Sequence, residues 1–140
     1  MGKYLYKRAM VIDDSKLDRF ISEAIIKKNQ FAEEVLDFSY ATSALAHLQN
    51  MAATPEALPQ VIFLDINMPV MDGFGFLDNY EQLPEEVKRR CNIIMISSSN
   101  SQDDFARIKT YPSVRKFFSK PLSDIILDDI RMNVPVAVPS

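Results

Sequence analysis

Three short runs in this chain, Ala9-Met10-Val11-Ile12, Val61-Ile62-Phe63-Leu64 and Ile93-Ile94-Met95-Ile96, are apolar at every position. A strand with one wet face alternates in polarity, so an unbroken apolar run between polar neighbours reads as a strand buried on both faces. Such strands need helices on both sides of their sheet, and amphipathic stretches lie between them. Leu17, Phe20, Ile21, Ala24 and Ile25 recur at helical spacing and predict a first helix from about Ser15 to Asn29, with that stripe facing the sheet. Val35 to Tyr40 reads as a second strand. Ala44, Leu45, Leu48 and Met51 mark a second helix that stops before Pro55 and Pro59.

After the third strand, Val61 to Leu64, a third helix is expected from Phe74 to Leu83, approached through Gly73. Pro84 opens a short extra helix to Arg90, with Glu85 and Glu86 four residues ahead of Arg89 and Arg90. Asn92 to Ile96 is the fourth strand. Ser101 and Asp104 can cap a fourth main helix near Gln102 to Thr110, and Lys116 to Phe118 is a short fifth strand. Leu122, Ile125, Ile126 and Ile130 stripe a last helix that fades near Asn133. Strands alternating with helices define an α/β fold: a doubly wound, five-stranded parallel sheet with right-handed crossovers and helices on both faces. The flavodoxin-like strand order 2-1-3-4-5 suits this size and sets the ends of strands one and three side by side. Residues 1–133 are expected to form one domain, and 134–140, with two prolines, a loose tail.

Composition narrows the function. With 140 residues, 47% hydrophobic and 25% charged, the chain has room for one core. The net charge is −3 and the basic residues are scattered, which argues against direct nucleic-acid binding. Cys91 is the sole cysteine, so no internal disulfide or thiol metal site exists, and it reads as a small residue beginning a strand. Met1 to Arg8 carries no signal-peptide core and no apolar run reaches the roughly 20 residues of a membrane span, so a cytoplasmic protein is expected.

The apolar strands end in acid. Asp13 and Asp14 follow the first and Asp65 follows the third, so the proposed order brings three carboxylates to one crevice. Their mutual repulsion calls for a cation, and Mg²⁺, held by one or two carboxylates together with phosphate oxygens, is the natural one. An aspartate can attack phosphorus to give an acyl phosphate, which makes Asp65 the candidate nucleophile. Ser97, after strand four, can donate a hydroxyl hydrogen bond to a phosphoryl oxygen, and Lys120, after strand five, can supply a positive charge. The Lys120-Pro121 bond is a candidate for the cis form, the one peptide class in which cis costs little.

Taken one by one these residues have plainer readings. Asp14 or Ser15 can cap a helix, Asp65 and Asp72-Gly73 can sit in turns, and Ser97 to Ser99 or Lys120-Pro121 can belong to surface loops. His47 reads as a solvated helix residue and Phe117 as core or edge packing. Together, however, Asp13-Asp14, Asp65 within Asp-x-x-Met-Pro-x-Met-Asp-Gly, Ser97 and Lys120-Pro121 resemble, in order and over nearly the whole chain, the receiver domain of a two-component response regulator.

The resemblance implies a stand-alone receiver in which Asp65 accepts a phosphoryl group from a histidine kinase or histidine phosphotransfer protein. It further implies that Asp14 and Asp65 ligate Mg²⁺ directly, that the Asn67 carbonyl adds a ligand and that Asp13 holds a metal-bound water. Ser97 would shift toward the phosphate and Phe117 would swing inward behind it, remodelling the face made by the fourth main helix, fifth strand and last helix. That face would regulate a downstream protein, since no effector domain follows, and it leaves room for a homodimer. Asn67 and Ser99 stand where the family tunes hydrolysis. The chain departs from the family in carrying serine at 97, where threonine is commoner, and Tyr111-Pro112-Ser113-Val114 in place of Ala-Gly before strand five.

Such a switch phosphorylates and dephosphorylates itself and turns over no external product, so it is not an enzyme in the ordinary sense. Two rivals remain. A phosphohydrolase with an aspartyl intermediate wants an acid two residues past the nucleophile, where this chain has Asn67. An unphosphorylated adaptor on the same fold needs none of the site; a flavin-type module would have its phosphate repelled by Asp13 and Asp14.

Overall fold

The computed structural model describes residues 3–98 and 101–134. Five strands, β1 (Tyr6–Ile12), β2 (Ala32–Phe38), β3 (Val61–Leu64), β4 (Asn92–Ser97) and β5 (Val114–Ser119), form one sheet. Its order is β2-β1-β3-β4-β5, with every neighbouring pair parallel. The connecting helices are α1 (Lys16–Lys28), α2 (Ala41–Asn50), α3 (Gly73–Tyr80), the short α4 (Glu85–Arg90), α5 (Gln102–Ile108) and α6 (Asp124–Asn133). This is the doubly wound, flavodoxin-like sheet expected from the alternation. None of the described helices is long and apolar enough to cross a membrane.

Successive residues of the central strands feed two cores, as the pleat requires. Met10, Ile12, Ile62, Leu64, Ile93 and Met95 pack with Ala44 and Leu48 of α2, Phe76 and Leu77 of α3 and Ile108 of α5. Ala9, Val11, Val61, Phe63, Ile94 and Ile96 pack with Ile26 of α1 and with Leu127 and Ile130 of α6. Burying a Leu, Ile or Phe fully contributes about 1.5–3 kcal/mol each, so this two-sided covering fixes the strand ends that carry the acids.

The elements depart from the expected ones mainly at the edges. β2 runs over Ala32–Phe38 rather than from Val35 to Tyr40, because pairing of Tyr6 with Ala32 brings the exposed Glu33 and Glu34 into an edge strand; Tyr40 instead caps α2. β5, the other edge, is also longer than Lys116 to Phe118, and α3 stops at Tyr80. The stripe on α1 faces the sheet only in part: Ile25 packs against the core and Ile21 is half-buried. Leu17, Phe20 and Ala24 are exposed, while Ile26 is the buried residue of the helix. His47 is half-buried against the Phe38 ring, 5.5 Å between centroids, and its Nε2 has no hydrogen-bond partner among the described residues. The expected solvated histidine is therefore a packed one, and burial pushes its pKa down.

Cys91 is a buried thiol just before β4, pushed up to about 12 by burial. Val134, expected to begin the tail, is buried against the α6 side of the sheet and donates its N–H to the Ile130 carbonyl. The remainder of that tail, 135–140, lies outside the described residues.

Candidate functional site

The acids sit where strand pairing stops. Ile12 pairs with Leu64, and the Asp65 N–H donates to the Ile12 carbonyl at 3.0 Å, so the next residues of β1 and β3 emerge together. Asp13 and Asp65 are buried and Asp14 is exposed, yet each places a carboxylate oxygen within 4.8 Å of the other two. Local hydrogen bonds orient the two buried carboxylates. Asp13 Oδ1 accepts from the Ser15 N–H at 2.9 Å, and Asp65 Oδ1 accepts from the Ile66 N–H at 2.9 Å. Arg19 donates to the Asp13 carbonyl at 2.8 Å and fastens α1 to the end of β1.

Lys120 enters from the end of β5, where its N–H donates to the Ser97 carbonyl at 2.9 Å and its bond to Pro121 is cis. Its ammonium lies 2.8 Å from Asp13 Oδ2, 2.8 Å from Asp18 Oδ2 and 3.4 Å from Asp65 Oδ2. Burial works against the lysine's charge, but hydrogen bonds to Asp13 and Asp18 and the charges of Asp65 and Asp13 outweigh it and raise its pKa above the ordinary value. Burial, reinforced by the Asp13 charge, raises the Asp65 carboxyl to about 6 against the pull of Lys120. One lysine thus leaves this acidic crevice short of positive charge. Three hard oxygen donors in mutual repulsion, with an exposed member open to solvent, are a set that fits a divalent cation such as Mg²⁺.

Asp13, Asp14, Asp65 and Lys120 are therefore brought together. Ser97 is fully buried at the end of β4, two residues beyond Met95, the partner of Leu64, which places it beside the loop after β3. Asn67 is exposed in that loop. Phe117 stands apart from the acids: it is half-buried, with its ring edge-on to Phe105 of α5 at 4.9 Å. Ser99 lies outside the described residues. Sequence reasoning missed Asp18 and the structural demand on Gly73. The pattern Ser15-x-x-Asp18 could have drawn attention to Asp18 as an acid in the first turn of α1.

Residues 9–133 match the response regulator receiver domain family, and the chain belongs to it. Among curated proteins, Response regulator Rcp1 of Synechocystis sp. is 26% identical over 99 residues, which cover 70% of this chain and 66% of Rcp1. Several larger curated relatives are matched over a quarter of their length or less. Among solved structures, a response regulator receiver protein from Dyadobacter fermentans is 30% identical with a TM-score of 0.80, covering 92% of this chain and 98% of that one. The receiver domain of the Arabidopsis thaliana histidine kinase CKI1, complexed with Mg²⁺, has a TM-score of 0.77 at 24% identity and covers 90% of each chain. The protein is thus a receiver domain of two-component signalling, with the acidic cluster of its site in place.

Proposed function

We propose that Asp65 accepts a phosphoryl group from a phosphohistidine of a kinase or phosphotransfer protein. The observation that carries this reading is the Lys120 ammonium set among Asp13 and Asp65 at the end of the parallel sheet. In the transfer a carboxylate oxygen of Asp65 forms a P–O bond, the P–N bond to the donor imidazole breaks, and the electron pair returns to that ring nitrogen. The Ile66 N–H holds Oδ1, which turns Oδ2 toward Lys120. Catalysis of this kind is mostly positioning and charge neutralisation, because the transferred group passes through a loose transition state.

Asp14 and Asp65, with the Asn67 carbonyl and with Asp13 through a water, would hold Mg²⁺. When bound, the ion neutralises charge on the phosphoryl oxygens. Lys120 donates to one such oxygen and the Ser97 hydroxyl to another. Phe117 then moves from its place against Phe105 as Ser97 draws toward the phosphate, and the surface of α5, β5 and α6 changes for a downstream protein or a second copy. Asn67 offers no acid for proton transfer, so the acyl phosphate serves as a signal and the protein turns over no external product.

The test is incubation with acetyl phosphate and Mg²⁺ followed by intact-mass measurement and treatment with hydroxylamine. One hydroxylamine-labile phosphoryl adduct is expected, absent from Asp65→Asn. An unmodified protein, or equal labelling of the variant, overturns the reading.

A further inference from the structure

The third carboxylate on Lys120 is the one that the phosphoacceptor chemistry does not use. Asp18 lies in the first turn of α1, and its Oδ2 is as close to the lysine Nζ as that of Asp13, 2.8 Å, whereas Asp65 is at 3.4 Å. The local sequence explains why Asp18 is available. Ser15 caps α1 by accepting from the Asp18 N–H at 3.2 Å, and in a full capping box the acid at position 18 would accept from the Ser15 N–H in return. Here that N–H donates to Asp13 Oδ1 instead. The Asp18 carboxylate is therefore released from its own helix and turned to Lys120.

Resting on the phosphoacceptor reading, we propose that Asp18 is a positioning residue that restrains Lys120 on the α1 side of the crevice and so slows phosphorylation of Asp65. An ammonium has three N–H bonds, and in this protein three carboxylates claim them. The two shorter contacts draw the lysine toward Asp13 and α1, and the longest is the one to the acceptor. An incoming phosphoryl oxygen must take over one N–H. Asp13 and Asp65 sit in the acidic cluster whose charge a cation relieves, so Asp18 is the competitor that remains. Its negative charge also lines the crevice with Asp13, Asp65 and Lys120 and repels an anionic donor. Both effects have the same sign. Asp18 is about one-third exposed, so solvent screening keeps the restraint modest.

The experiment compares wild type, Asp18→Asn and Asp18→Glu, each in the Lys120 and Lys120→Gln backgrounds, as the full chain with acetyl phosphate and Mg²⁺. The initial rate of adduct formation is followed by intact mass. Asp18→Asn is expected to be faster than wild type by about threefold to tenfold, the range between a screened ion pair and a charge-assisted hydrogen bond. Asp18→Glu, which keeps the charge, should stay within about twofold of wild type, and the gain from Asp18→Asn should shrink in the Lys120→Gln background to the part owed to donor repulsion. A merely structural role for Asp18 would leave the change undiminished without the lysine. An Asp18→Asn rate equal to or below wild type, or an acceleration undiminished in Lys120→Gln, overturns the restraint while the phosphoacceptor reading stands. Absence of any adduct on the wild type removes that reading and the restraint with it.

Discussion

Gly73 lies against the backbone of Asp65: a Cβ at position 73 would stand 2.5 Å from the Asp65 carbonyl oxygen and 2.9 Å from Ile66 Cα. The Gly73 N–H also donates to the Ile66 carbonyl at 2.7 Å, so the loop after β3 folds back on itself at the start of α3. Backbone atoms cannot rotate aside as a side chain can. Gly73→Ala is expected to destabilise the protein by about 1–3 kcal/mol, the usual range for overpacking, and to slow adduct formation at Asp65. Urea unfolding together with the acetyl phosphate assay checks both, and a variant with unchanged midpoint and rate would show that the loop yields freely.

The same loop holds a strained residue. Val70 has φ 72°, and across it the Met71 N–H donates to the Pro69 carbonyl at 2.8 Å, closing a three-residue turn. A β-branched residue is disfavoured at positive φ, and the left-handed region costs an L-residue roughly 1–2 kcal/mol that glycine does not incur. Val70 is also highly exposed, so its side chain returns little in packing. Val70→Gly is expected to raise stability by up to about 1 kcal/mol, reduced by glycine's greater freedom in the unfolded chain. A lower denaturation midpoint would show that the valine is held by contacts that outweigh the strain.

How much of this could be read from the sequence depended on how strongly local pattern and final environment agree. β3 was legible to the residue because Val61 to Leu64 is buried on both faces and has no polar position to blur the run. The edge strands were not, since Glu33 and Glu34 of β2 are exposed and look like loop. The limits of α1 followed from its helical periodicity and agree with the caps at Ser15 and Asn29, but its rotation did not follow. Leu17, Phe20 and Ala24 have helical periodicity and are nonetheless exposed, while Asp18 and Arg19, polar residues of the same turn, reach Lys120, Asp13 and Asp37. Periodicity assumes that the inward face is apolar, and beside an acidic crevice it is not. The four residues carried by strand ends, Asp13, Asp14, Asp65 and Lys120, were legible because parallel topology forces such ends together. Asp18 was not, because it lies within α1 rather than at a strand end, and only the rotation of that helix brings it to Lys120.

The raised pKa of Asp65 has a definite sign in stability. Without divalent metal, below about pH 4 the carboxyl is protonated in both folded and unfolded chains and adds nothing. Between about 4 and 6 the unfolded chain loses the proton while the folded one, with its value near 6, keeps it. Stability therefore falls as pH rises through this window, by up to roughly 3 kcal/mol. Asp65→Asn lacks the penalty and gives up only the longest of the lysine's three ion pairs. It should be more stable than wild type by about 2 kcal/mol at pH 7.5 in EDTA, with the difference shrinking toward zero at pH 4. Urea titrations at the two pH values check this, and a gap of equal size at both would detach it from ionisation of Asp65.

Asp14 differs from the other two acids in being exposed, so its removal orphans no buried group. Asp14→Ala should leave the unfolding midpoint in EDTA within about 0.5 kcal/mol of wild type. On the proposed reading the same variant withdraws a direct carboxylate ligand and should weaken Mg²⁺ binding by roughly tenfold or more. Calorimetric titration with Mg²⁺ separates the two effects. Unchanged affinity would take Asp14 out of the metal site.

Lys120 couples the charges that Asp14 does not. Its ammonium is the counter-charge to the buried Asp13 and Asp65, and replacing it by alanine leaves both acids facing each other without relief. Removing one partner of a buried pair is costly, although here the folded protein can take up a proton on Asp65. Lys120→Ala is expected to lose about 2 kcal/mol at pH 7.5 in EDTA, to lose less at pH 5, and to regain most of the loss on addition of Mg²⁺, whose charge relieves the same repulsion. Restored stability should not restore signalling, because a cation held by the carboxylates cannot donate a hydrogen bond from the end of β5. Comparing the tryptic or hydrogen-exchange pattern of α5 and β5 with and without acetyl phosphate reads that response. Full changes at Phe117 and Phe105 in Lys120→Ala would assign the linkage between phosphate and β5 to another residue.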